Sequence, residues 1–113
     1  MSKLPGEAAA GGPEAAFAAI AARLLGEEGV SEGTGFGANA GLRVGGKIFA
    51  MIVRGELVVK LPAVRCVELI AAGRARPFDR GQGRPLKAWI TVGEAAIAQW
   101  PALASEALAF VRR

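Results

Sequence analysis

Histidine and tyrosine are both absent from these 113 residues, and there is a single cysteine, Cys66. Without histidine the chain has no Ser-His or Cys-His nucleophile pair, no imidazole metal ligand and none of the commonest general acid or base. One cysteine cannot close an internal disulfide, which fits a reducing compartment, so a cytoplasmic location is expected. Long apolar runs are missing too. Glycine, arginine and glutamate interrupt every stretch well short of the ~18 residues that a membrane span requires. The first residues carry one lysine followed by glycine, glutamate and alanine in place of an apolar block, so no signal peptide is expected. Glu27, Glu28 and Glu32 are the acids that could gather a hard cation. Acids set among glycines read as a solvated turn, not as a site offering roughly six or more oxygen ligands. No catalytic constellation, metal, cofactor or small-molecule substrate is therefore expected, and the chain reads as a non-enzyme.

What is present is a hydrophobic fraction of 52% together with 16 glycines and a net charge of +4. A chain of this size and composition is a single domain able to bury a core. The charge is unevenly spread: residues 1–32 sum to −3, residues 33–60 to +3 and residues 74–92 to +4. Such asymmetry suits an acidic partner, a self-complementary surface or simple solubility.

The organising stretch is Gly41 to Lys60, G-L-R-V-G-G-K-I-F-A-M-I-V-R-G-E-L-V-V-K. Gly45-Gly46 and Arg54-Gly55 each separate two β-rich runs, and such pairs supply the positive φ angles of two-residue hairpins. Two-residue loops set Val44 opposite Lys47, Leu42 opposite Phe49, Met51 opposite Val58 and Ile52 opposite Leu57. Strict alternation then gives one face Ile48, Ala50, Ile52, Leu57 and Val59, and the other Leu42, Val44, Phe49, Met51, Val53 and Val58. The middle strand is apolar on both faces and needs cover on both sides. Three short helices leave the second face for a homodimer to cover.

Around this centre, residues 1–12 read as a disordered tail and 13–113 as one domain. Pro13 opens a helix with Phe17, Ile20, Ala21, Leu24 and Leu25 on one stripe, ended by Gly26 or Gly29. Val30 to Ala40 is too rich in glycine for a helix and reads as a loop entering a short strand at Phe36. Pro62 opens a second helix, with Val64, Val67 and Ala71 on one stripe, Cys66 and Ile70 beside it, and Gly73 as its stop. Phe78-Asp79 forms a short strand. Leu86, Ala88, Ile90 and Val92 alternate along a better one that starts at Pro85 or lies at an edge. Trp100-Pro101 begins a last helix carrying Leu103, Ala107, Phe110 and Val111. The expected fold is α+β, an antiparallel sheet of about five strands in the order α-β-β-β-α-β-β-α.

Two glycine patterns do not carry chemistry. Gly35 to Ala40 matches G-x-G-x-x-A, but a strand follows where a dinucleotide fingerprint requires a helix. Gly41 to Lys47 matches the start of a phosphate loop, yet Ile48 stands where Ser or Thr would hold magnesium. Basic residues offer a better surface. Arg43 and Lys47 flank the first hairpin turn, and in the basic segment Arg74 to Lys87 the residues Arg74, Arg76, Arg80 and Arg84 lie around a glycine-rich loop, where guanidinium groups can meet phosphates. The competing reading is that these charges keep strand edges soluble and unpaired. Trp89 and Trp100 read as packing residues, and Cys66 as a small buried hydrophobe.

The succession G-F-G, G-L-R-V-G-G-K-I-F-A-M, E-L-V-V-K-L-P-A-x-R and A-G-x-A-R-P-F-D-x-G-x-G-R-P-L-K-x-W-I resembles the TfoX N-terminal-like family, related to the YjbR-like domains. It covers about residues 33 to 92, with Gly35 standing where the family usually has methionine before its Phe-Gly pair. The resemblance implies a compact bacterial α+β domain and supplies no catalytic residues to carry over. TfoX regulators carry a second, helical domain for which this chain has no room. The combined expectation is a small binding or regulatory module acting through a protein partner or self-association. Nucleic-acid binding through Arg43, Lys47, Arg76, Arg80, Arg84 and Lys87 is the alternative.

Overall fold

In a computed structural model, residues 12–34, 39–79 and 85–112 are described. The tail at 1–11, the expected strand at Phe36 and the loop bearing Arg80 and Arg84 lie outside them. Both expected hairpin turns form. Gly45 and Gly46 have φ of 59° and 83°, and Arg54 and Gly55 have φ of 50° and 78°, so each turn holds two left-handed residues. That pairing matches the right-handed twist of the strands it joins.

The strands are β1 (Val30–Thr34), β2 (Ala40–Val44), β3 (Lys47–Val53), β4 (Glu56–Lys60), β5 (Arg76–Asp79) and β6 (Pro85–Val92). They form one antiparallel sheet in the order β1-β2-β3-β4-β6-β5. Six strands replace the expected five. The difference is Val30–Thr34, V-S-E-G-T, whose composition reads as loop but which pairs along β2 from Val30↔Val44 to Thr34↔Ala40. The α-helices are α1 (Gly12–Leu24), α2 (Ala63–Ala71) and α3 (Trp100–Arg112), with a 3-10 helix over Glu94–Gln99 leading into α3.

All three helices cover one face. Phe17, Ile20, Ala21 and Leu24 of α1, Cys66 and Leu69 of α2, and Trp100, Leu103, Ala104, Ala107 and Leu108 of α3 pack there. They bury Leu42, Val44, Phe49, Ala50, Leu57, Val59, Ile90 and Val92 of the sheet. Leu25, expected on the α1 stripe, falls just past the helix end and is exposed.

The strict alternation expected along β3 does not hold. The register slips between Leu42 and Arg43, so that Leu42 pairs with Ala50 and Arg43 with Ile48, leaving Phe49 as the extra residue of a β-bulge. Phe49 and Ala50 therefore both enter the helix-covered core, while Ile48 packs with Met51, Val53, Val58, Phe78 and Trp89 on the other face. Leu42 and Val44 move to the helical side with Phe49. Beyond the bulge the expected pairs Met51↔Val58 and Ile52↔Leu57 stand. Ile48 has room because Gly41 lies beneath it: a Cβ on Gly41 would stand 2.5 Å from Ile48 Cδ1 and 3.1 Å from the Ala50 carbonyl oxygen.

The second face is also closed. Met51 and Val58 are fully buried and Phe78 and Trp89 nearly so, although among the described residues no helix packs on that side. The open sheet face that would call for a second copy of the chain is not found at Met51.

The phase of α2 is the remaining correction. Cys66 and Leu69 point into the core, whereas Val64 is 72% and Val67 66% exposed. The helix ends as expected at Gly73, with φ of 76°. Its amide donates to the Ile70 carbonyl and that of Arg74 to the Leu69 carbonyl, the paired bonds of a Schellman stop.

Candidate functional site

The basic residues singled out in the sequence do not form one cluster. Arg43 projects across Gly33, where its Nη2 donates to the Thr34 carbonyl at 2.7 Å and its Nη1 to the Gly46 carbonyl at 2.9 Å. These two bonds fasten β1 and the first turn to β2. Lys47 is exposed beside that turn. Arg76 lies on β5, four strand spacings from β2, or about 19 Å at ~4.8 Å per strand. There it pairs with Glu56 of β4 across β6. Arg80, Arg84 and the side chain of Lys87 lie outside the described residues. Trp89 and Trp100 are buried, and the Trp100 indole donates to the Gly93 carbonyl at 3.2 Å, so both are packing residues.

Other cations remain available. Lys47, Arg54, Lys60 and Arg74 make no ion pair among the described residues. Arg74 and Arg76 border a cleft of about 370 Å³ beside Gly73 and Gly93.

Cys66 sits in the core with its thiol 3.6 Å from the Leu61 carbonyl oxygen. Burial pushes the thiol above its ordinary value, which keeps it protonated and unreactive. Among the described residues no three His, Cys, Asp or Glu side chains converge to hold a metal ion. Glu27 instead accepts from Arg112 at 3.4 Å. No described helix is long and apolar enough to cross a membrane.

Two surfaces escaped sequence reasoning. The first is the outer face of α2, where Val64, Val67 and Ile70 stand exposed. Its signal was present: α2 has more apolar positions than one core-facing stripe of a nine-residue helix can bury. The second is a cleft of about 600 Å³ between α1 and the β1–β2 edge, bordered by Glu14 and Glu32 and floored by Phe17, Leu42 and Ile52. Nothing local in the sequence brings Glu14 and Glu32 to one cleft, because both border it only when α1 lies across the sheet.

Compared with known protein families, with characterised proteins and with solved structures, the chain matches none of them.

Proposed function

We propose that this chain is a small non-enzymatic binding module of the TfoX N-terminal-like kind that self-associates through the outer face of α2. The supporting observation is the exposure of Val64 at 72% and Val67 at 66% on a helix whose opposite face is fully engaged in the core. Solvent-facing valines one turn apart form a small apolar ridge, the feature that helix-to-helix contacts use. The motif resemblance and the α+β order support the family reading, and that resemblance brings no catalytic residues to this chain.

Light scattering over a concentration series tests the reading. Self-association predicts a mass rising from 11.6 kDa toward twice that value, and its reversal by Val67→Glu. Because Val67 is exposed, that substitution should leave the unfolding free energy within about 0.5 kcal/mol of the parent. A mass of 11.6 kDa at every concentration would reject self-association.

A second reading, binding to duplex DNA, draws on Arg74, Arg54 and Lys47, which have no ion pair among the described residues. Anisotropy of labelled duplex titrated at several salt concentrations tests it, since phosphate contacts weaken log-linearly with salt. No binding at low salt removes this reading.

A further inference from the structure

The cleft between α1 and the β1–β2 edge has the make-up of a ligand site. Its volume of about 600 Å³ falls within the roughly 300–1,000 Å³ of small-molecule pockets. The space exists because small residues form the walls. Ala18 and Ala21 face it from α1, while Gly33, Ala40 and Gly41 face it from the sheet edge. Its floor is apolar, with Phe17 and Leu42 belonging to the buried core and Ile52 packed against it.

The charged groups at its border share one sign. Glu14 stands in the first turn of α1 and Glu32 in the middle of β1, and neither has an ion pair or side-chain hydrogen bond among the described residues. Arg43, on β2, is held by hydrogen bonds to the Thr34 and Gly46 carbonyls. Arg23, further along α1, is turned toward α3, where it donates to the Ser105 hydroxyl and the Pro101 carbonyl. Two carboxylates over an apolar floor, with no lysine or arginine among the described lining residues, complement one kind of ligand: a positive charge attached to an apolar body.

We propose that this cleft binds a small organic cation, an ammonium or guanidinium carried on an apolar chain. The apolar part lies against Phe17, Leu42 and Ile52, and the charge sits between Glu14 and Glu32. The apolar floor supplies most of the affinity and the carboxylates supply the preference for a cation.

Nuclear magnetic resonance titration of the full-length, ¹⁵N-labelled protein with octylammonium, octan-1-ol and octanoate tests this. Octylammonium should give saturable shifts in α1 and β2 amides, with octanoate at least about tenfold weaker, the combined effect of two exposed ion pairs. Glu14→Gln with Glu32→Gln should lower octylammonium affinity to that of octan-1-ol and leave octan-1-ol unchanged. Ala18→Phe, at an exposed helix position, should fill the cleft and abolish both without loss of stability. Equal binding of octanoate, indifference to Ala18→Phe, or no saturable shift at 10 mM octylammonium, a ceiling of about the weakest useful affinity, would each overturn the proposal.

Discussion

The guanidinium of Arg65 grips the carboxylate of Glu106 with two parallel hydrogen bonds, 2.9 Å from Nε to Oε1 and 3.0 Å from Nη2 to Oε2. Arg65 lies on α2 and Glu106 on α3, so this fork joins two helices that otherwise meet the sheet separately. The hydrogen bond to Glu106 raises the Arg65 guanidinium above its already high ordinary value. Both side chains remain more than a third exposed, which places the pair among screened surface interactions. Glu106→Gln should therefore cost about 0.5–1 kcal/mol. Urea titrations of the parent and variant should converge at 1 M salt, where the screening length falls to about 3 Å.

The bulge at Phe49 depends on the missing side chain at Gly41. Gly41→Ala should destabilise by about 1–3 kcal/mol, the range for overpacking, because the new methyl meets both the Ile48 side chain and the Ala50 carbonyl oxygen. Shortening Ile48 to alanine relieves only the first contact. In a double-mutant cycle by urea denaturation, Ile48→Ala should recover part of the Gly41→Ala loss, and strictly additive effects would show that the two residues do not compete for space.

Arg54 occupies a left-handed conformation with φ of 50°, in the position of its turn where asparagine is favoured. A non-glycine residue held there carries a backbone cost of roughly 1–2 kcal/mol. Arg54→Asn should recover up to about 1 kcal/mol of it and raise the melting temperature by about 4 °C in a domain of this size. An unchanged or lower melting temperature would mean that the arginine side chain makes a compensating contact.

Cys66 gives the stability a definite pH dependence. Burial raises its folded value, so below the ordinary thiol value of about 8.5 both folded and unfolded chains are protonated and its contribution is complete. As pH rises from there toward the folded value, the unfolded chain ionises first and is stabilised, and the protein loses stability. Unfolding measured between pH 8 and pH 10 should show that decline, and Cys66→Ala should flatten it while lowering stability throughout. Iodoacetamide should modify the native thiol slowly and the unfolded one quickly.

The parts of the fold legible in the sequence were those fixed by local chemistry. Gly45-Gly46 and Arg54-Gly55 announce their turns because few residue pairs accept two positive φ angles, and the pairs Met51↔Val58 and Ile52↔Leu57 follow from the second. Gly73, Pro85 and Trp100 mark real boundaries for similar reasons. What could not be read was phase. β3 is apolar on both sides, so alternation says nothing about which face takes Phe49, and a bulge leaves no trace in the pattern. α2 is apolar around most of its circumference, and packing chose Cys66 and Leu69 over Val64 and Val67. The strand Val30–Thr34 was hidden because pairing along β2, not its own propensity, makes it a strand. The same limit explains the surfaces: the outer face of α2 and the Glu14–Glu32 cleft exist only once the helices are docked.

β2, β3 and β4 each pair with the strand made just before, whereas most of the helical cover over β3 and β4 comes from α3, near the other end of the sequence. On a ribosome the hairpins can zip together as they emerge, but Phe49, Leu57 and Val59 then wait for Trp100, Leu103 and Ala107 to be synthesised. The nascent sheet is thus built early and roofed late. A chain stalled before residue 100 would present the greasy half of its sheet to whatever chaperone is at hand.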